Sequence, residues 1–231
     1  MSAHIGIVAC SAEGAALCYR TICIEGEALF GEHAHPEVSL HGHSFASYMR
    51  CIERQDWSGV GQLMLASACK LASIGADLLI CPDNTIHAAM LYVEPQSPRP
   101  WLHIAEVVAA EAARRGYRRL GLTGTRWLVQ NEVYPQKCAA RGIECLRPEP
   151  HECEEVNRII MQELVRGRFE PTSRSYLEQL IARLAERGCD AVVLGCTEIP
   201  LVISDANSAL PTLDSTRLLA RAALQRVHTD V

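Results

Sequence analysis

Two short polar stretches that could carry acid–base chemistry each follow an apolar run. The first, CPDNTIH, spans residues 81–87 after GADLLI, and the second, GCTEIP, spans residues 195–200 after DAVVL. When the two stretches are aligned, Asp83 corresponds to Cys196. A carboxylate and a thiolate can each accept a proton and return it. The alignment therefore predicts one acid–base group in each half of the chain.

The two groups differ in acidity and need different environments. An ordinary thiol titrates at about 8.5, so Cys196 needs help to act as a base at neutral pH, and amides of a following helix N-terminus could give it. An ordinary Asp titrates at about 3.9, and burial beside a thiolate would raise that value. Asp83 could then hold the proton that Cys196 lacks, bind a substrate ammonium, or cap a helix. Cys81, two positions earlier, is expected to pack in the core.

The elements that position these groups alternate along the chain. Short apolar segments typical of buried strands are HIGIVAC, PEVSLH, ADLLIC, RRLGLTG, GIECL and DAVVLGC. Helical periodicity lies between them, at residues 57–74, 103–115, 152–167 and 174–187. This alternation predicts an α/β fold with parallel sheets covered on both faces.

The chain also repeats itself. The sequence separation between Gly6 and Gly121 is nearly the same as that between Gly75 and Gly188, which indicates a duplicated unit. We therefore expect two pseudo-symmetric doubly wound domains with a cleft between them. Because ligands bind at the carboxyl ends of parallel strands, Asp83 would face the ligand from the side opposite Cys196.

The domain boundaries are expected at a Pro-rich linker and before the last helix. EPQSPRP, at residues 94–100, marks the linker. The first domain is predicted to comprise residues 1–97 and 208–231, and the second residues 98–207. A final helix, capped by Asp214 or Ser215, is expected to return to the first domain and to have no counterpart at the end of the first repeat.

Composition excludes several classes of protein. The net charge of −5 on 231 residues offers no basic stripe for nucleic acid. The N-terminus lacks a signal-peptide pattern and no apolar run approaches membrane-spanning length, so we expect a cytoplasmic protein without a membrane partner. The 11 cysteines contain no CxxC pair and are expected to be reduced. Lys70 and Lys137 are the only lysines, which leaves pyridoxal phosphate few anchors.

A histidine-rich segment, EHAHPEVSLHGH, raises the question of a metal. It contains His33, His35, His41 and His43, and the last two end the second predicted strand. No Asp or Glu stands at a spacing that would complete a zinc site, so we predict no metal. The chain also lacks a P-loop and a dinucleotide fingerprint.

Four motifs together resemble a known family. LGCTEIPL, the NTxH element of PDNTIH, LGLTGTR and PTLDSTR are similar to those of the cofactor-independent aspartate/glutamate racemases, and the similarity runs from the first strand to the last helix. The resemblance implies racemisation of an acidic amino acid without a cofactor, by a homodimer. The family usually places one cysteine in each half. Cys196 is the second of these, and Asp83 replaces the first.

The resemblance also implies roles for the neighbouring residues. Neutral donors for the substrate's α-carboxylate and amine would be Ser11, Asn84, Thr85, Thr125 and Thr197. From its own chemistry, Arg126 could pair with a distal carboxylate of the substrate or simply be solvated at the turn. Glu198 is expected to orient local amides, and His87 to form a hydrogen bond within the loop of the first half.

Two other functions remain open for a chain with this fold. An enzyme with a single cysteine could be a decarboxylase or isomerase that protonates an enolate from one face. Alternatively, the chain could be a binding protein that kept the cleft and lost the chemistry.

Overall fold

A computed structural model describes residues 3–229 of the chain. Within this range the strands form two four-stranded parallel sheets. The strands are β1 (His4–Ala9), β2 (Glu37–Gly42), β3 (Leu78–Ile80), β4 (Trp101–Leu102), β5 (Arg119–Thr123), β6 (Glu144–Leu146), β7 (Ala191–Leu194) and β8 (Thr212–Asp214). The first sheet has the order β2-β1-β3-β4 and the second has the equivalent order β6-β5-β7-β8. The predicted α/β class with two parallel sheets is confirmed.

Helices connect the strands and flank the sheets. The α-helices are α1 (Ala12–Phe30), α2 (Phe45–Glu53), α3 (Trp57–Ser73), α4 (Met90–Val93), α5 (Ile104–Arg114), α6 (Arg126–Gln130), α7 (Val133–Ala139), α8 (Pro150–Gln162), α9 (Pro171–Glu186) and α10 (Ser215–Thr229). Short 3₁₀ helices lie at Thr85–Ala89, Glu94–Gln96, Leu164–Arg166 and Ile199–Leu201. No helix within residues 3–229 is both long and apolar enough to cross a lipid bilayer.

The central strands explain why the apolar runs are continuous. Every residue of β1 and of β7 is buried, as expected when helices cover both faces of a parallel sheet. Glycine lets one helix approach each sheet closely. A Cβ on Gly6 would lie 3.2 Å from the Cβ of Leu71 on α3, and a Cβ on Gly121 would lie 2.9 Å from Cδ1 of Leu184 on α9.

The repeat extends to individual hydrogen bonds. In the first sheet the Asp77 carboxylate accepts the His4 amide at 3.0 Å, and the Asp77 amide donates back to the His4 carbonyl at 2.8 Å. In the second sheet Asp190 makes the same pair of bonds with Arg119, at 3.2 and 2.9 Å. Each aspartate therefore fixes the start of its third strand against the first strand.

The chain divides into two compact units. Unit 1 contains residues 3–104 and 216–229, and unit 2 contains residues 105–215. The last helix belongs to unit 1, where Arg221 of α10 forms an ion pair with Glu25 of α1 at 2.6 Å. Residues 1, 2, 230 and 231 of the predicted first domain lie outside the described residues, and the division into folding domains stays a prediction.

Each sheet has a short fourth strand that the sequence patterns did not reveal. β4 pairs with β3, so Trp101 and Leu102 lie in the first sheet, although they follow the predicted linker. β8 pairs with β7 in the second sheet in the same way. The expectation that the last helix has no counterpart is wrong. α5 follows β4 and contributes to unit 2, just as α10 follows β8 and contributes to unit 1.

Candidate active site

Cys196 lies two residues beyond the end of β7, at the carboxyl end of the second sheet. Its position is set by Gly195, whose amide donates to the Thr123 carbonyl at 2.9 Å. A Cβ on Gly195 would come within 2.5 Å of that carbonyl oxygen, so a side chain there would displace the strand end. Cys196 is only 8% exposed. The loop therefore holds a largely buried thiol at the edge of the sheet where α/β proteins bind ligands.

Glu198 supplies the proton acceptor beside this thiol. The Cys196 thiol donates to Glu198 Oε2 at 2.9 Å, and the Thr197 hydroxyl donates to the same oxygen at 2.7 Å. All three side chains are buried, which strengthens these contacts by excluding water. The carboxylate is placed to take the thiol proton and leave a thiolate. Sequence reasoning expected Glu198 to order nearby amides and did not foresee this contact with the thiol.

Two other residues predicted for this half lie where α6 begins. Thr125 is the N-cap of α6 and accepts the Leu128 amide at 3.3 Å. The Arg126 guanidinium lies 3.6 Å from Glu154 and stacks over the Trp127 ring at 4.7 Å. Arg126 therefore already has an anionic partner within unit 2, and its pairing with a substrate carboxylate stays a prediction.

Asp83 occupies the equivalent place after β3 in unit 1. Its Oδ1 accepts the Thr85 amide at 3.2 Å, at the start of the 3₁₀ helix Thr85–Ala89. Asp83 thus makes a cap-like contact, one of the roles left open above. This contact also fixes the carboxylate at the carboxyl end of the strand.

The neighbouring Cys81 is a structural thiol. It is fully buried, and its sulfur lies 3.9 Å from the Asp83 carbonyl oxygen. Burial raises the pKa of Cys81 well above its usual value, and the charge of Asp83 raises it further. The thiol therefore stays protonated, and it fits the packing role expected for it.

The remaining predicted residues of unit 1 lie at the same edge of the first sheet. His87 Nε2 is 3.0 Å from the Cys81 carbonyl oxygen, a contact within the loop of the first half. Asn84 and Thr85 are buried beside it. Ser11 is the N-cap of α1, where its Oγ accepts the Gly14 amide at 3.3 Å. Their contacts with a substrate stay predictions.

The histidine segment is organised by hydrogen bonds. His41 Nδ1 lies 2.9 Å from Ser67 Oγ, and its Nε2 lies 3.0 Å from Lys70 Nζ. Burial, followed by the charge of Lys70, lowers the pKa of His41, so the ring is neutral. Within residues 3–229, no three His, Cys, Asp or Glu side chains are grouped so that they could hold a metal ion. That the protein works without a metal stays a prediction.

The fold and this site define a class of enzyme: a duplicated parallel α/β scaffold with a buried thiol–carboxylate pair at one strand end. Residues 7–223 match the family model described as Asp/Glu/Hydantoin racemase. The chain belongs to this family and is an amino-acid racemase, an isomerase that acts on amino acids.

Two proteins of similar sequence are named as racemases, which agrees with this family assignment. The chain is 24% identical to the broad specificity amino-acid racemase RacX of Bacillus subtilis, over 73% of each protein. It is 31% identical to the glutamate racemase of Pseudomonas aeruginosa over 70% of this chain, a match that spans 56% of that enzyme.

Solved structures show the same fold. An aspartate racemase homologue from Pyrococcus horikoshii has a TM-score of 0.83 at 27% identity, covering 99% of this chain and 100% of the other. A protein of Yersinia pestis, provisionally assigned as an Asp/Glu racemase, has a TM-score of 0.88 at 29% identity, covering 97% and 99%.

Proposed function

We propose that this racemase acts on an acidic amino acid without a cofactor, with Cys196 and Asp83 as its two acid–base groups. The observation that carries the proposal is the 2.9 Å contact between the Cys196 thiol and the buried Glu198 carboxylate. Relatives named glutamate racemase and aspartate racemase homologue support an acidic substrate. Asp83 is included because it ends the equivalent strand of the other sheet.

The proposed reaction moves two protons. Glu198 takes the proton of Cys196, and the thiolate then removes the α-hydrogen of the substrate as a proton, leaving a carbanion. A protonated Asp83 carboxyl donates its proton to the opposite face of that carbon, which inverts the centre. In the reverse direction, the Asp83 carboxylate removes the α-proton and the Cys196 thiol returns one.

The lysines support chemistry without pyridoxal phosphate. That cofactor is normally held as a Schiff base on a lysine. Lys70 Nζ lies against His41 at 3.0 Å, and Lys137 Nζ faces Glu106 at 3.4 Å. Both lysines are engaged with other side chains, so neither is a suitable anchor.

The other predicted residues complete the proposal. We assign Ser11, Asn84, Thr85, Thr125 and Thr197 to the α-carboxylate and amine of the substrate. Arg126 would reach a distal carboxylate by leaving Glu154. His87 would support the Asp83 loop through the Cys81 carbonyl.

We also place the enzyme in the cytoplasm as a homodimer. All 11 cysteines are free, as suits a reducing compartment. The dimer is expected from the resemblance to the family. Sedimentation at several protein concentrations measures the oligomeric state, and a monomer throughout would contradict that part of the proposal.

The decisive experiment replaces the thiol. Cys196→Ala should abolish exchange of the substrate's α-hydrogen with solvent deuterium at the Cys196 face while the protein stays folded. Cys189→Ala, which removes another buried thiol of unit 2, is the matched control and should retain exchange. Proton NMR of aspartate and glutamate in deuterated buffer gives the rates. Wild-type exchange in the Cys196 variant would remove this residue from the mechanism.

A further inference from the structure

Two cysteines of unit 2 are not used by the reaction described above. Cys138 lies on α7 and is fully buried, and Cys145 lies on β6 and is partly exposed. Both are free thiols, and their side chains form a hydrogen bond with each other. We call these two side chains the Cys138–Cys145 pair.

The turn between α7 and β6 holds the pair together. The amides of Arg141 and Ile143 both donate to the Cys138 carbonyl, at 2.9 and 3.0 Å, so the chain reverses directly after the helix. Gly142, at φ of 68°, supplies the left-handed residue of this turn without strain. Side chains two residues apart in a strand share a face, so Cys145 lies on the same face as the buried Ile143. The backbone thus places Cys145 beside the end of α7.

The surroundings of the pair favour one thiolate. The hydrogen bond from Cys145 lowers the pKa of Cys138, and the charge of Arg141 lowers it further against the effect of burial. The same hydrogen bond, followed by burial, raises the pKa of Cys145, so the pair loses one proton well before the other. The proton left in the contact can pass from Cys145 to Cys138. That transfer puts the thiolate, which is the reactive form, on the sulfur that solvent reaches.

We propose that the Cys138–Cys145 pair is a redox-active dithiol, which a small-molecule disulfide oxidises, and that its oxidation slows proton transfer at Cys196. The effect on Cys196 rests on the proposed function, which assigns proton transfer to that thiol. Such a pair is reduced under ordinary conditions in a reducing compartment and forms a disulfide when small disulfides accumulate there.

The proposed oxidation takes two exchange steps. The Cys145 thiolate attacks one sulfur of the small disulfide, which forms a mixed disulfide and releases one thiolate. Cys138 then loses its proton and attacks the Cys145 sulfur, which forms the bond between the two cysteines and releases the second thiolate. The dithiol gives up two electrons, and the small disulfide is reduced to two thiols.

A short hydrogen-bonded route leads from the pair to the loop of Cys196. Tyr134 lies one turn before Cys138 on α7, is fully buried, and has Ser215 as a hydrogen-bond partner. The Ser215 hydroxyl donates to the Leu194 carbonyl at 2.9 Å, and Leu194 ends β7 two residues before Cys196. A disulfide brings two sulfur atoms closer than a hydrogen bond does. Its formation should therefore move α7, and Tyr134 with it, relative to the sheet.

The test begins with peptide mapping of the whole protein after treatment with 2-hydroxyethyl disulfide and blocking of the remaining thiols. Trypsin cuts between the two cysteines, after Arg141, and leaves them in peptides 138–141 and 142–158. We expect mass spectrometry to find these peptides cross-linked through the pair, and dithiothreitol to separate them. Failure to form the cross-link, or a bond from Cys145 to its neighbour Cys189 instead, would refute the dithiol.

The second measurement is α-hydrogen exchange of aspartate and glutamate before and after oxidation. Exchange at the Cys196 face should fall by roughly 2- to 30-fold in oxidised wild type, the range expected for coupling through packed side chains, and should recover on reduction. Cys138→Ser and Cys145→Ser cannot form the disulfide and should exchange at the same rate under both conditions. Cys189→Ala keeps the pair and is the matched control, which should respond as wild type does.

Three other results would count against the inference. A loss of exchange that persists in both serine variants would show that the reagent acts on another group, such as Cys196 itself. Unchanged exchange in wild type that carries the cross-link would refute the coupling to Cys196. If reduced wild type exchanges neither amino acid, the proposed function fails and the coupling fails with it. The cross-linked peptides then decide on their own whether the pair is redox-active.

Discussion

If Cys196 is the base, as proposed, its contact with Glu198 gives the thiol proton a nearby acceptor. The Cys196 thiol donates its hydrogen directly to the buried Glu198 carboxylate, and the sulfur lies 2.9 Å from the accepting oxygen. Thr197 donates to the same carboxylate oxygen at 2.7 Å, which fixes the carboxyl group beside the sulfur. In the proposed mechanism, Glu198 both positions the thiol and takes its proton.

Glu198→Gln tests this role. Glutamine can still accept a hydrogen bond from the thiol, but it cannot take the proton, so exchange at the Cys196 face should fall by roughly 10²–10⁴ at neutral pH. The negative charge of Glu198 opposes ionisation of the neighbouring thiol, so in Glu198→Gln the rise of the exchange rate with pH should move to lower pH. Exchange rates measured by NMR from pH 6 to 10 give both quantities.

The matched control is Glu152, the other buried glutamate of unit 2. It caps α8 through the Glu149 amide at 2.8 Å and pairs with Arg183 at 2.6 Å. Glu152→Gln should lower stability and leave the pH profile of exchange in place. An unshifted profile in Glu198→Gln would assign Glu198 a structural role alone.

At the scale of elements, the duplicated packing of one helix on each sheet depends on a glycine. The Cβ of alanine at position 121 would lie 2.9 Å from Cδ1 of Leu184, so the Leu184 side chain or α9 itself would have to shift. Gly121→Ala should destabilise the protein by about 1–3 kcal/mol through overpacking. The urea midpoint, followed by circular dichroism, measures this loss.

A double-mutant cycle separates packing from other effects. If the contact causes the loss, Gly121→Ala should cost less in a Leu184→Ala background, where most of the opposing side chain is gone. Equal costs in both backgrounds would show that the helix contact is not the cause.

Short edge strands limited what the sequence could predict about the fold. The six predicted strands are all present, because buried parallel strands leave continuous apolar runs. β4 has two residues and β8 has three, too few for any periodic pattern. Without a signal for these strands, the sequence places the domain boundary at the Pro-rich stretch and does not reveal α5 as the counterpart of α10.

The site shows a similar limit. Cys196 and Asp83 could be found because both follow strand ends within motifs. The contact of Glu198 with the thiol depends on how the turn after β7 folds, which residue types alone do not specify.

On the scale of the whole molecule, the repeat is symmetric in its sheets but not in its acid–base groups. The two sheets share strand order, the Asp77 and Asp190 contacts, and glycines at the same places. At the equivalent strand ends, however, one unit carries Asp83 and the other carries Cys196. If both serve one substrate, as proposed, the two faces of the α-carbon meet groups that differ by roughly 4.6 pKa units before the site perturbs them.

This asymmetry predicts unequal exchange rates for the two enantiomers. The enantiomer whose α-hydrogen faces Cys196 should exchange readily, and the other slowly, while the equilibrium between the free enantiomers stays at one to one. Asp83→Cys should bring the two rates closer together. Asp83→Asn should slow racemisation but spare exchange at the Cys196 face, because asparagine cannot hold the proton. Deuterium incorporation into each pure enantiomer, measured for wild type and both variants, provides the test. Unchanged rates in Asp83→Asn would leave Asp83 only its contact with the Thr85 amide, as a cap.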